Sequence, residues 1–186
     1  MTPARLPAAV FVTAATIEDA RAVAQVHVLS WQQAYRDLLP QTFLDALSVE
    51  ERAVMWRECI AHGSPQVMVA KSAGQVCGFA SFGPSRDQDA PAGTAEIMAL
   101  YLAPDVWSTG VGRRLWCAVL ERVVAQGFAV VTLWVMAHNA RAIRFYEAAG
   151  FEAQPSSRKQ FTLGGIVLDE VRYQRRAQHL AADPKE

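Results

Sequence analysis

Apolar residues recur along the chain at two periods. Val10–Ala14 is a short apolar run that reads as a strand. Thr16-Ile17-Glu18-Asp19 follows as a helix start, with an acidic residue three places after the capping threonine. Ala20, Val23, Ala24 and His27–Val28 then recur at helical spacing toward Trp31 and Tyr35, until Leu38-Leu39-Pro40 breaks the helix. Ser48-Val49-Glu50-Glu51 is a capping box opening a second helix, which carries Val54, Trp56 and Ile60 and ends at His62-Gly63-Ser64-Pro65.

The period then changes. Val67–Lys71 and Val76–Phe82 flank a turn at Ser72–Gln75, a hairpin pattern. Ser85–Gly93 is a polar loop and Glu96–Leu102 the next strand. Gly110–Gln126 is helical, with Val111, Leu115, Ala118, Val119 and Val123 on one side and Gly127 as its stop. Ala129–Met136 is a valine-rich run typical of a strand buried on both faces. Asn139 caps a helix whose apolar side is Ala142, Phe145, Tyr146 and Ala149, and Gly150 ends it. Gln160–Leu163 and Ile166–Tyr173 flank Gly164-Gly165, a two-residue hairpin signal. The order predicts an α/β domain with about four helices around one mixed sheet. The whole chain, 1–186, reads as one domain with a core from about 10 to 175 and a frayed tail from 176 to 186.

Composition narrows the partners. Eighteen basic residues balance eighteen acidic ones, so no net positive field draws nucleic acid or an anionic membrane. Cys59, Cys77 and Cys117 are scattered and odd in number, which fits neither a disulfide framework nor zinc spacing. His27, His62, His138 and His179 are equally dispersed, and no metal site is expected. Arg5 and the run Leu6–Ala15 faintly resemble a signal peptide, but Pro7 interrupts the run and a first strand is preferred. The longest uncharged apolar run, Phe128–Ala137, is far short of the roughly 20 residues that span a bilayer. A soluble cytoplasmic protein is the default expectation.

The candidate chemistry lies between a strand and a helix, at Pro104-Asp105-Val106-Trp107-Ser108-Thr109-Gly110-Val111-Gly112-Arg113-Arg114-Leu115. Glycines there let backbone approach a ligand, and the first helical turn offers unpaired N–H groups and the positive dipole end. Together they form a cradle for a diphosphate. Glycines also begin helices for steric reasons alone. Gly112 is followed by Arg113-Arg114 rather than Lys-Ser/Thr, so a phosphate-transferring P-loop is disfavoured. The pattern also lacks the spacing of a dinucleotide fold.

These residues resemble the GNAT superfamily of N-acetyltransferases, whose phosphate loop is Gln/Arg-x-x-Gly-x-Gly/Ala. Trp107-Ser108-Thr109-Gly110-Val111-Gly112 matches it except at Trp107. Ala95–Pro104 resembles the family's fourth strand, Asn139–Phe151 its second cofactor-contacting motif, and Gly164-Gly165 with Glu170–Tyr173 its closing hairpin. His27–Pro40 is similar to a common bacterial branch, and the likeness spans about Val10–Arg175. The resemblance implies a mostly antiparallel sheet whose strands 4 and 5 splay apart. It implies acetyl-CoA lying in that opening against Leu100, Tyr101 and Leu102, with its phosphates on residues 107–113, Arg113 included, and contacts to Asn139 and Tyr146. It further implies direct attack on the thioester by a small-molecule or peptide amine, without a metal. Homodimers occur in the family, and no stripe here proves one.

Two readings stand for each site residue. Tyr146 either protonates the leaving thiolate or packs beside Phe145. Glu96, a carboxylate within an apolar strand, is either a general base, direct or through water, or one half of an ion pair. Trp31 and Tyr35 either wall the acceptor cleft or fill the core, and the charged loop Ser85–Gly93 either borders the cleft or is simply solvated. Asn139 caps a helix and can also face the cofactor. Rival functions are transfer of a longer acyl chain, a hydroxyl acceptor, a non-catalytic CoA-binding regulator, and a purely structural module.

Overall fold

The computed structural model describes residues 9–178. Seven strands form one sheet in the order β1-β2-β3-β4-β5-β7-β6: β1 (Val10–Ala14), β2 (Gln66–Ser72), β3 (Gln75–Pro84), β4 (Thr94–Leu102), β5 (Val130–Met136), β6 (Glu152–Leu163) and β7 (Ile166–Arg176). Among the described residues five α-helices surround it: α1 (Ala20–Ala34), α2 (Gln41–Asp45), α3 (Val49–His62), α4 (Val111–Ala125) and α5 (Ala140–Ala148). Local sequence sets the helix starts. Thr16 N donates to Asp19 Oδ2 at 3.0 Å, closing a capping box on the turn that leads into α1. Ser48 Oγ accepts from Glu51 N at 3.2 Å and starts α3.

The sheet buries both faces. Leu115, Trp116, Val119 and Val123 of α4 pack on Phe82 and Leu133 on one side. Val23 and Ala24 of α1 and Trp56 of α3 pack on Val69 and Phe79 on the other. A third cluster joins Tyr35, Leu39 and Leu44 to Leu168 of β7. Each cluster removes apolar surface from water at about 25 cal/mol per Å².

Strand pairing positions the site. All neighbours are antiparallel except β4 and β5, which run parallel. Their pairing begins at Thr94 with Val130 and stops at Ile97 with Leu133, while β4 continues to Leu102 and β5 to Met136. The two strands therefore splay, as the resemblance implied. On its other edge β4 carries a bulge: Ile97 faces Phe82 and Ala99 faces Ser81, leaving Met98 extra. The bulge inverts the alternation. Ala95 and Ile97 face the α4 layer before it, Leu100 and Leu102 do so after it, and Ala99 and Tyr101 turn toward α1.

Three details differ from the sequence expectation. α1 ends at Ala34, before Leu38-Leu39-Pro40 is reached, and Pro40 instead caps the short α2, whose Leu44 is fully buried. β6 is twelve residues long rather than four, because its largely exposed, polar first half shows no alternation to read. Arg176, assigned to the frayed tail, closes β7, and residues 179–186 lie outside the described residues, as do Arg5–Pro7. Among the described residues no helix is long and apolar enough to cross a membrane, and no cluster of metal-ligating side chains occurs.

Candidate functional site

The splay of β4 and β5 opens into a cavity of about 890 Å³. Leu100, Tyr101 and Leu102 of β4 line it, as do Trp107 and Ser108, Asn139 and Tyr146, Glu96, and Trp31 and Tyr35. Residues that sequence reading singled out far apart in the chain thus share one space. Beyond Ile97 the β4 backbone has no partner on the β5 side, which leaves main-chain groups facing the opening.

One end lies where β4 runs into α4. Trp107 Nε1 donates to Leu102 O at 3.0 Å and the Thr109 hydroxyl donates to Val106 O at 2.7 Å, which fixes the connecting turn. Ser108 at φ 63° and Gly110 at φ 89° swing the chain into the helix. Arg114 N makes the first intrahelical bond, to Gly110 O at 3.1 Å, so the amides before it point out of the helix end. The two glycines do different work. Gly110 is surrounded by open space, whereas a Cβ on Gly112 would stand 3.1 Å from Leu102 and 3.2 Å from Phe145. Gly112 and Val111 are buried and seat α4 on its neighbours, while Arg113 faces solvent. Arg141, from the first turn of α5, stacks its guanidinium 4.4 Å from the Trp107 ring centroid, and Arg144 also lines the cavity. The carboxylates that line the cavity are Asp87 on the β3–β4 loop, Glu96 near the opposite end of β4 and Glu170 on β7. This end presents amide N–H groups and guanidinium cations without a lining acid, which suits a phosphate-bearing ligand.

Midway stands Tyr146, 9% exposed, packed edge-on against Phe145 and Phe151. Burial, with Tyr101 close by, raises its hydroxyl pKa well above the usual 10 and keeps it protonated. Asn139 Oδ1 accepts from Ala142 N at 3.1 Å, capping α5, and its side chain also meets the Tyr35 hydroxyl. Tyr35 in turn reaches the Tyr101 hydroxyl. Tyr101 stacks on His27 at 5.2 Å, and His27 Nδ1 accepts from Trp56 Nε1 at 3.1 Å. Burial, then Arg52, lowers the His27 pKa to about 4, so the ring is neutral near pH 7.

The far end holds Glu96, whose side chain is 3% exposed. Its Oε2 accepts from the Arg86 backbone N at 3.0 Å and from Arg86 Nε at 3.1 Å, and Oε1 binds Arg86 Nη2. Burial alone would raise the carboxyl pKa, but the Arg86 contacts outweigh it and hold the group below 4.5. The ion-pair reading of Glu96 is therefore realised in the structure. A depressed pKa stabilises the fold above the unfolded value, and that contribution is lost as pH falls through the folded one. Glu96→Gln is expected to lower stability at pH 7 and to approach wild type as pH falls through the depressed folded pKa of Glu96, read as denaturation midpoints across pH. A constant gap at all pH values would show that Glu96 stabilises by shape alone.

Several lining residues escaped the sequence reading. Arg86 and Asp87 belong to the Ser85–Gly93 loop, where bordering the cleft was one of two readings and no single residue was named, and Trp134 sat in a run read only as core. Lys159, the last residue of the unrecognised part of β6, places Nζ 3.5 Å from the Trp134 centroid, and Phe161 follows it into the cavity.

Residues 29–151 match the model of the Acetyltransferase (GNAT) family. An uncharacterised N-acetyltransferase of Bacillus subtilis is 34% identical over 163 residues, 87% of this chain and 90% of that protein. The chain belongs to the GNAT family. An L-methionine sulfoximine/L-methionine sulfone acetyltransferase of Pseudomonas aeruginosa is 34% identical over 90 residues, 48% of this chain and 52% of that one. The N-acetyltransferase of Thermoplasma acidophilum, solved in complex with coenzyme A, superposes with a TM-score of 0.73 at 18% identity, covering 90% of this chain and 99% of that one. That last likeness concerns the fold. The mixed sheet with its splayed fourth and fifth strands is the GNAT architecture that the sequence resemblance implied.

Proposed function

We propose that the protein transfers acetyl from acetyl-CoA to a small-molecule amine by direct attack. The observation that carries this reading is one continuous cavity. It runs from the Trp107–Ser108 turn with Arg141 and Arg144, past Tyr146, to the part that Glu96 lines, while Thr109–Arg113 lie beyond its lining. In this reading the diphosphate rests on the turn Trp107–Gly112, with Arg113 and Arg141 adding positive charge. The pantetheine arm pairs with the free β4 backbone at Leu100–Leu102. Asn139 borders it from α5, and Trp31 and Tyr35 wall the acceptor pocket. The relative named for L-methionine sulfoximine supports a small amine as acceptor.

The chemistry follows from the charges. The amine lone pair forms the C–N bond, the C–S bond breaks, and the electron pair goes to sulfur. Tyr146, kept protonated by burial, donates its hydroxyl hydrogen toward that sulfur. Its raised pKa favours donation of a hydrogen bond to the nascent thiolate over full proton transfer, and the thiolate takes its proton from solvent on release. Glu96 has too low a proton affinity to retain the amine proton, so it acts as a station on the way to solvent.

Calorimetry with acetyl-CoA, followed by thiol release in the presence of an amine panel, tests the proposal. Binding followed by amine-dependent thiol release is expected. Binding without release from any amine would favour the non-catalytic CoA-binding protein, and no binding would end the acetyl-transfer reading.

A further inference from the structure

Arg141 and Arg144 line the cavity at its phosphate-facing end. Among the described residues, the other charged side chains that line it each face a partner of opposite sign. Arg86 is bound to Glu96, and Lys159 Nζ lies 3.3 Å from Glu170. Asp87 meets Arg172, whose side chain is only 14% exposed, at 3.2 Å. Arg172 also donates to both oxygens of Asp89, at 2.7 and 2.8 Å, and through Nε to Gln154 Oε1 at 2.7 Å. Trp134 Nε1 donates to Asp87 at 3.1 Å. The 85–93 loop is thereby pinned to β5 and β7, with its carboxylates already engaged.

The remaining surface is apolar and aromatic. Trp31, Met136, Phe161 and Leu163 line the cavity and pack onto the cluster built around Tyr35 and Leu168. A guest that brings a carboxylate needs an unpaired cation here, and one that brings a second ammonium needs an unpaired acid. The Arg86 and Lys159 side chains are 67% and 50% exposed, so a guest carboxylate competes with Glu96 and Glu170 for cations that water already reaches. A second ammonium competes with those cations for the acids, and either guest gains little over solvent. A guest whose only ionisable group is the reacting nitrogen meets no such competition. Its apolar body gains by burial against the aromatic wall.

We infer that the acceptor is a primary monoamine on an apolar or aromatic body, with no second charged group. The inference rests on the acetyl-transfer reading above and narrows it, setting amino acids and polyamines aside. The amine nitrogen bonds to the acetyl carbon, the thiolate leaves and is protonated to the CoA thiol, and the amine's surplus proton goes to solvent.

The test compares three acceptors at saturating acetyl-CoA, with thiol release as the readout. They are 2-phenylethylamine, phenylalanine, which adds a carboxylate to the same body, and 1,4-diaminobutane, which adds a second ammonium. The expected kcat/KM for 2-phenylethylamine is at least about tenfold above either of the others. Phe161→Ala should raise KM for 2-phenylethylamine about tenfold, while the calorimetric affinity for acetyl-CoA stays unchanged and reports an intact fold. Equal or better use of phenylalanine or diaminobutane overturns the acceptor class and leaves acetyl transfer standing. Acetyl-CoA that binds but is not cleaved with 2-phenylethylamine also overturns it. Absence of acetyl-CoA binding removes the transferase reading and this inference with it.

Discussion

Tyr146→Phe is expected to slow acetyl transfer by about 10²–10⁴-fold, the usual range for a lost acid or base. The substitution keeps the ring that packs against Phe145 and Phe151 and removes only the hydroxyl, so the fold should hold. The hydroxyl matters when charge builds on the departing sulfur. Its loss is felt in the transition state rather than in binding, and acetyl-CoA affinity should change little. The raised pKa sharpens the expectation. A phenol that holds its proton tightly donates a hydrogen bond at every pH where the enzyme is folded. The wild-type rate should therefore show no alkaline decline from Tyr146 below pH 10. Single-turnover measurement, with enzyme in excess over acetyl-CoA, avoids masking by product release. A drop under about threefold would mean that the thiolate leaves unaided, and Tyr146 would be a packing residue only.

The sequence carried the parts of the fold that local rules govern. Capping at Thr16 and Ser48, the β6–β7 turn at Gly164-Gly165 and the helix faces of α4 and α5 follow from residues within a few positions of one another. The Met98 bulge does not, because it arises from how β3 and β4 pair. Yet that bulge decides which side of the sheet Tyr101 and Leu102 face, and so what lines the opening. The far end of the cavity was hidden for a related reason. Arg86, Trp134, Lys159 and Glu170 come from the β3–β4 loop, β5, β6 and β7, and no spacing links them. Arg172 was visible only as part of a hairpin, although its guanidinium holds Asp87 and Asp89 some 85 and 83 positions away in the chain. Gly112 shows the opposite case. Its place in the loop motif was read as room for a ligand, but its Cβ direction points at Leu102 and Phe145 and serves helix packing.

That distinction selects Gly110 for the second large effect. Gly110→Asp is expected to weaken acetyl-CoA binding at least tenfold, about 1.4 kcal/mol or more, without unfolding the protein. The site has open space for a side chain, so no atom need move to admit one. The backbone there is left-handed at φ 89°, which costs roughly 1–2 kcal/mol for a residue with a Cβ. A carboxylate at the cap of α4 offsets little of this, because an aspartate cap gains only a few tenths of a kcal/mol over a glycine one, and a cost of this size leaves the protein folded. The same carboxylate would occupy the amides proposed to hold the diphosphate and would repel it. Gly110→Ala separates the two effects, since it carries the backbone strain without the charge. It should lose stability yet keep acetyl-CoA affinity within about threefold. Gly112→Ala should show the reverse cause of harm, with its Cβ crowding Leu102 and Phe145 and lowering stability by about 1–3 kcal/mol. Electrostatic repulsion is screened by salt, so the Gly110→Asp defect should shrink between 0.05 and about 0.5 M salt. Calorimetry on the variants, with thermal melts as the fold control, reads every arm. Unchanged acetyl-CoA affinity in a folded Gly110→Asp protein would move the phosphate site away from the end of α4.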